Sequence, residues 1–330
     1  MPAEWEKHKA TWLSWPKDPN TFPPDILPKV EAAYAEMVGA LGEGEEVWIL
    51  VDDARAESRV TSLLRRRERV SFYRLKTVDV WVRDYGPTYV KGRDLALVKW
   101  VFNAWGNKYE DLEPDNEAGD RIADSSGLEV FRPGIVLEGG SVDVNGRGCV
   151  MTTEQCLLNS NRNPKLGKKD LEKVLRDYLG AEVVIWLGRG IVGDDTDGHV
   201  DDIARFAGPK SLAVAVEPDA TDMNHAALEE NRQLLVDAVD EDGHDFDVVG
   251  IPMPGAIIAG DGRLPASHLN FYSGNSRVLV PTFGGESDRK AMKALEELFP
   301  KREVVGIDCR ALVYGLGTLH CVTQQVPSVD

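Results

Sequence analysis

The chain has 330 residues, 42% of them hydrophobic and 28% charged, which excludes a collagen, a coiled coil and a wholly disordered polymer. Its 38 basic and 55 acidic residues leave a formal charge of −17, a surface that repels phosphates and argues against nucleic acid; such a field concentrates small cations, but charge alone is better read as keeping the protein soluble. No stretch approaches the roughly 20 apolar residues of a membrane span, residues 1–7 lack the basic-then-apolar order of a leader, and four scattered cysteines make no disulfide framework, so a reduced, cytoplasmic protein is expected. In chain order, a Pro-rich opening loop over 15–24 gives way to helical spacing over 26–41, with Ile26, Val30, Tyr34, Met37, Val38 and Leu41 on one side. Residues 47–51 read as a buried strand. A second helix is expected over 55–69, its Arg65, Arg66 and Arg67 forming a solvated face rather than a phosphate patch. Strands at 96–98, 183–186, 211–216, 278–280 and 303–307 alternate with helices at 168–179, 225–239 and 287–299. That alternation is α/β in class.

A second regularity runs through the chain. Polar or Gly-rich clusters unlike core sequence stand around Asp84, Glu138, His199, Asn270 and Cys321, at intervals of 54, 61, 71 and 51 residues. Repeats of this period suggest radial or stacked units, each aiming one loop at a common centre, although the residues between the clusters are not visibly alike.

Stock motifs fail on inspection. Gly315-Leu316-Gly317 begins like a dinucleotide loop but meets His320 where the last glycine belongs, and no Walker A sequence occurs. Gly139 to Asp143 lacks the final glycine of a nucleophile elbow. The acidic run 194–202 puts Val200 where a calcium loop requires glycine. A zinc site built on His199 and nearby carboxylates stays open, without a His-x-x-x-His helix to complete it. What remains is thiol chemistry. Cys321 sits in a loop bracketed by Gly315 and Gly317; a lone cysteine is ordinarily a small buried apolar residue, but a loop that exposes the thiol changes the balance. His199 is the candidate proton shuttle, although a histidine alone can equally be structural. If 197–201 is extended, Asp197, His199 and Asp201 share one face and set an imidazole between carboxylates, which suits a cationic substrate. Asp84 beside Arg83 reads either as a salt bridge or as a binding carboxylate in a tight turn.

These motifs resemble the agmatine deiminase family, also called bacterial peptidyl-arginine-deiminase-like proteins, of the guanidino-group-modifying superfamily. The likeness rests on Pro2-Ala3-Glu4-Trp5, Thr11-Trp12-Leu13-Ser14-Trp15-Pro16, Trp81-Val82-Arg83-Asp84, Phe102-Asn103-Ala104-Trp105-Gly106 and Leu137-Glu138-Gly139-Gly140-Ser141. It continues through Thr152-Thr153-Glu154-Gln155-Cys156-Leu157-Leu158-Asn159, Gly198-His199-Val200-Asp201, Asn270-Phe271-Tyr272 and His320-Cys321-Val322-Thr323-Gln324-Gln325. Nearly the whole chain is covered, in order. The resemblance implies a five-bladed α/β propeller with pseudo-fivefold symmetry, a single domain over 1–330, and no metal or organic cofactor. It implies Cys321 as nucleophile, His199 as general acid and base, and Asp84 and Asp201 as the carboxylates that grip a guanidinium. Glu138, Asn270 and Trp81 are implied as further substrate-side residues, and Cys149, Cys156 and Cys309 as structural.

The implied reaction is hydrolysis of agmatine to N-carbamoylputrescine and ammonia. The sequence departs from the family at Gly315-Leu316-Gly317-Thr318-Leu319-His320-Cys321, where members acting on agmatine carry Gly-Gly-Gly-Asn-Ile-His-Cys, and at Tyr85 and His268, which are expected to flank the pocket. Peptidyl-arginine or another small guanidine is therefore the alternative substrate. A zinc amidohydrolase using His199 and the 194–202 carboxylates is the rival from another class, and a guanidine-binding protein without turnover is the rival outside catalysis. The expected partner is a small cationic guanidine, with homo-oligomer formation left open.

Overall fold

A computed structural model describes residues 1–329. Its recurring element is a strand that pairs antiparallel with a second strand, a helix that crosses over, and a third strand that returns parallel to the second. The crossover is what a parallel neighbour requires, since a two-residue hairpin cannot make one. Thr88–Lys91, Leu95–Val98, the helix Asp115–Ser125 and Glu129–Phe131 form one such unit. Asp143–Val144, Cys149–Thr153, the helix Lys168–Leu179 and Val183–Leu187 form the next. Ala204–Gly208, Ser211–Val216, the helix His225–Val236 and Asp247–Pro252 follow. Tyr272–Ser273, Arg277–Thr282, the helix Glu286–Leu298 and Glu303–Asp308 repeat the pattern. The last unit joins the two ends of the chain: Thr323–Pro327 pairs antiparallel with His8–Ser14, and after the helix Leu27–Leu41 the strand Glu46–Val51 returns in parallel, with Val70–Arg74 added at its edge.

The local sequence explains these elements. Central strands such as Ser211–Val216 are almost continuously apolar because both faces are covered. In the helix Lys168–Leu179, Leu171, Leu175 and Leu179 recur every fourth residue and are buried against Trp100, Val150 and Leu157. Each contributes about 1.5–3 kcal/mol of hydrophobic burial. Asp170 accepts the N–H of Gly167 at 2.9 Å to cap the first turn, and Gly180, at φ 76°, ends the helix in the left-handed conformation that a side chain disfavours.

Two helices are shorter than their spacing predicts. The second runs over Ala54–Leu63 only, leaving Arg65 to Arg67 in the following loop, where Arg66 pairs with Glu43 at 2.7 Å. The helix expected to reach residue 239 ends at Val236.

Each cluster singled out by the sequence lies just before the first strand of a unit. Asp84 is in the short helix Val82–Tyr85, Glu138 precedes the turn Gly139–Ser141, and Asp201 is in the turn Val200–Asp202. Asn270 and Cys321 directly precede Tyr272–Ser273 and Thr323–Pro327. Backbone hydrogen bonds tie these segments together: the Arg83 N–H donates to the Cys321 carbonyl at 3.3 Å, and the His320 N–H to the Asn270 carbonyl at 3.1 Å.

Candidate active site

The nucleophile candidate is held from both sides. Asn270 is buried and fixed by Thr318, whose hydroxyl donates to its Oδ1 at 2.8 Å, and by the His320 N–H at 3.0 Å. Its Nδ2 then donates to the Cys321 sulfur at 3.1 Å. On the other side Asp201 Oδ2 stands 3.8 Å from the same sulfur. Gly317 packs where any Cβ would meet Trp81 at 2.5 Å and the sulfur at 3.1 Å, so the loop glycine is required by close approach.

The second carboxylate arrives from the opposite segment. Asp84 Oδ1 accepts the Gly140 N–H at 2.9 Å, and Oδ2 accepts the Trp105 indole N–H at 2.9 Å. Arg83 points the other way, to Gln325 and Glu4, so the adjacent Arg–Asp pair is not a salt bridge. His199 Nδ1 lies 3.9 Å from Asp84 Oδ1, while no hydrogen bond among the described residues links its ring to the Cys321 sulfur. A Cβ on Gly140 would sit 2.6 Å from His199 Nδ1 and 3.0 Å from both Asp84 Oδ1 and Asp201 Oδ2. The imidazole and the two carboxylates thus converge on one glycine.

The segment carrying His199 is not extended as the alternation 197, 199, 201 suggests. Asp197 and Gly198 take φ of 68° and 87°, and a single turn follows over Val200–Asp202. Asp197 faces away, pairing with Arg162 and with Lys108 at 2.8 Å, so the carboxylates near the imidazole are Asp84 and Asp201. Glu138 is buried behind them, its Oε1 accepting from Arg162 Nε at 2.8 Å. Glu138, Cys156 and His199 lie close enough together to hold a metal ion, a set that does not include the 194–202 carboxylates proposed for a zinc amidohydrolase.

Electrostatics follow from this packing. Burial pushes the Cys321 thiol well above its ordinary pKa, and the charges of Asp201, Asp202 and Asp84 push it further. Burial also raises Asp84, with a positive His199 opposing the shift. For His199, burial works against the proton, but Asp84, then Cys156 and Asp201, outweigh it and hold the ring's pKa well above the usual value. Asp201 goes the other way: burial raises it, and the hydrogen bond and charge of His320 bring it below the ordinary carboxylate value.

A cavity of about 190 Å³ opens onto this cluster, lined at its inner end by Trp81, Asp84, Trp105, Gly317 and Cys321. His199 and Asp201 stand immediately behind that lining. Asp18, Asp79, Asp111 and Asp195 make the rest of the cavity acidic, and no Lys, Arg or His lines it. Burial raises Asp79 to about 6, against hydrogen bonds from Thr21 at 2.6 Å and Trp81 at 2.8 Å that favour its charged form. Tyr85 and His268 do not line the cavity: Tyr85 is buried in the hydrophobic core, and His268 is turned to the Pro281 carbonyl at 2.8 Å. The cavity variation from the family pattern is therefore Leu316, which does line it.

The sequence reading missed Trp105 and Arg162 as site residues. Trp105 stood inside a quoted motif, but an indole in an apolar run gives no sign that its N–H meets a carboxylate 21 positions earlier. Arg162 reaches Glu138 across 24 positions and carries no motif of its own.

The chain matches the family model described as Porphyromonas-type peptidyl-arginine deiminase over residues 1–327. It is 36% identical to the agmatine deiminase of Stutzerimonas stutzeri, covering 99% of this chain and 95% of that one. Its fold superposes on the agmatine deiminase of Enterococcus faecalis with a TM-score of 0.93 at 32% identity, over 99% and 95% of the two chains. A C. jejuni agmatine deiminase with substrate bound gives 0.90 at 30% identity, over 99% and 96%. The chain belongs to the Porphyromonas-type peptidyl-arginine deiminase family and is a hydrolase acting on carbon–nitrogen bonds.

Proposed function

We propose that this hydrolase converts agmatine to N-carbamoylputrescine and ammonia, with Cys321 as nucleophile, His199 as general acid and base, and Asp84 and Asp201 gripping the guanidinium. The observation that carries the reading is a buried thiol with one carboxylate 3.8 Å from its sulfur and a second converging on the same glycine, at the end of an acidic cavity. Trp81 walls the guanidinium, Asn270 holds the sulfur, and Glu138 stands behind His199. Agmatine is cationic at both ends, which an acidic lining favours. The α-carboxylate of free arginine finds no basic partner in that lining. An arginyl peptide needs an open groove, whereas this cavity is smaller than the roughly 300 Å³ at which drug-sized sites begin.

The chemistry follows from the charges. Burial, and then the charges of Asp201, Asp202 and Asp84, disfavour a thiolate. A bound guanidinium supplies the compensating positive charge, so that the thiol releases its proton to solvent, and the guanidinium N–H groups donate bidentate hydrogen bonds that aim the central carbon at sulfur. The thiolate forms a C–S bond, and a π electron pair moves onto nitrogen. His199, through the Nδ1 that faces Asp84, gives its proton to the departing nitrogen, the C–N bond breaks, and ammonia leaves an S-alkylthiouronium. The neutral imidazole then takes a proton from water, whose oxygen bonds to the same carbon. The C–S bond breaks with its electron pair on sulfur while the remaining hydroxyl proton passes to solvent, giving the ureido product and the thiolate.

The five strand–helix–strand units are read as the blades of one pseudo-fivefold propeller domain over 1–330. Their shared topology, and the sheet that joins the first and last strands, support this. Four free cysteines, the nucleophile among them, favour a reducing cytoplasm.

Assaying ureido product and ammonia on agmatine, free arginine and an arginyl peptide tests the reading. Agmatine is expected to turn over fastest, with Cys321→Ala inactive. Faster turnover of the peptide overturns the agmatine assignment. A fully active Cys321→Ser variant that chelation inactivates establishes the zinc alternative instead.

A further inference from the structure

His320 lies directly before the proposed nucleophile, yet it is buried and does not line the cavity. Both ring nitrogens face carboxylates. Nδ1 is 2.7 Å from Asp201 Oδ2, and Nε2 is 2.8 Å from Glu4 Oε2. All three side chains are buried, with Glu4 at 5% and His320 at 2% exposure. Carboxylate oxygens only accept when ionised, so an imidazole that satisfies both must donate from both nitrogens. A neutral ring can serve one of the two contacts, and the other then brings two acceptors together.

Glu4 is itself locked. Its Oε1 pairs with Arg205 Nη2 at 2.9 Å and accepts the Ser273 N–H at 2.8 Å, and its Oε2 also meets Arg83 Nη2 at 3.3 Å. Arg205 is anchored in turn on Asp143 at 3.2 Å, and Arg83 Nε donates to the His320 carbonyl at 3.2 Å. The charged groups around the His320 ring are thus Glu4, Asp201, Asp143, Arg83 and Arg205, with the Cys321 thiol beyond Asp201. Asp201 Oδ1 has no hydrogen-bond partner, so the contact from His320 fixes one oxygen and leaves the other uncommitted.

We propose that His320, protonated on both ring nitrogens and held by Glu4, is a positioning residue that keeps Asp201 ionised and oriented toward the guanidinium. It touches neither substrate nor sulfur through its ring; it acts through Asp201. A residue at the start of the chain therefore sets the geometry of a carboxylate beside position 321. The inference rests on the deiminase reading for its kinetic consequence, but not for the protonation it requires.

Nitrogen-15 NMR of histidine-labelled wild-type enzyme at pH 7.5, with His320→Gln to assign the signals, tests the protonation directly. Two protonated nitrogens on His320 are expected, and a neutral imidazole overturns the proposal whether or not agmatine is the substrate. In His320→Gln, KM for agmatine is expected to rise about tenfold or more, the scale of one lost charge-assisted hydrogen bond, with a smaller fall in kcat. The sign with pH is fixed by Asp201. Losing its cationic partner raises its pKa, so the loss of kcat/KM on acidification begins at a higher pH. Glu4→Gln, which preserves shape and still accepts from Nε2, is expected to shift both in the same direction by less. A fall in kcat alone, with KM and the acid limb unchanged, reduces His320 to a structural role and contradicts the proposal. Should both variants fail to fold, through-bond correlations in uniformly labelled wild-type enzyme assign the His320 signals, and that spectrum still decides. A wild-type enzyme that shows the doubly protonated ring but ignores agmatine keeps this inference and removes the substrate assignment.

Discussion

Gly140 leaves no room for a side chain at the point where three groups of the site meet. Its missing side chain is what lets His199, Asp84 and Asp201 approach one another, since a Cβ there would lie 2.6 Å from the imidazole nitrogen and 3.0 Å from each carboxylate. Gly140→Ala should displace all three groups by a fraction of an ångström to an ångström. Misplacement on that scale costs about a hundredfold in rate, and kcat/KM is expected to fall by at least that much with the far-UV spectrum unchanged. Wild-type kinetics in this variant would show that the three groups do not act together. The sequence pointed to Glu138-Gly139-Gly140 as a cluster unlike core packing, but it carried no sign of which glycine faced the chemistry. That depends on Asp84 and His199 arriving from segments 56 positions before and 59 after.

At the level of elements, legibility followed the length and regularity of the pattern. The helix Lys168–Leu179 was readable to the residue, because leucines at every fourth position leave one solution and Gly180 marks its end. The segment around His199 was misread because period-two reasoning was applied across Asp197-Gly198, a pair suited to positive φ, which both adopt. The arginine run after Leu63 was misread for the opposite reason: polar residues of good helix propensity continue a helical pattern on paper, but they have no apolar face to bury. The crossover helices such as Lys168–Leu179 carry none of the proposed site residues, so their packing and the activity should separate. Leu175→Ala is expected to cost about 2–5 kcal/mol of stability in urea unfolding while leaving kcat/KM unchanged in the folded protein. A large kinetic defect there would tie that helix to the site.

Across the whole molecule, the site belongs to no single stretch of chain. Each unit contributes one short segment before its first strand, and the sheet that pairs Thr323–Pro327 with His8–Ser14 brings Glu4 and His320 to the same place. The spacing of the five clusters was visible in the sequence. The layer beneath them, in which Glu4, Arg83, Asp143, Arg205 and His320 contact one another, was not, because each polar residue taken alone reads as a surface residue and only their shared burial reveals the network. The acidity of the chain has a counterpart in the cavity, where carboxylates line the approach to a thiol whose pKa burial, and then the nearby carboxylates, raise. The most direct test of that account is to quench the enzyme in acid during turnover of agmatine and measure the intact protein and its peptides by mass spectrometry. The account predicts a covalent addition equal to agmatine less one ammonia, on the peptide containing Cys321 and absent from Cys321→Ala. Turnover with Cys321 unmodified at every quench time, or with the addition on Cys156 instead, would contradict it.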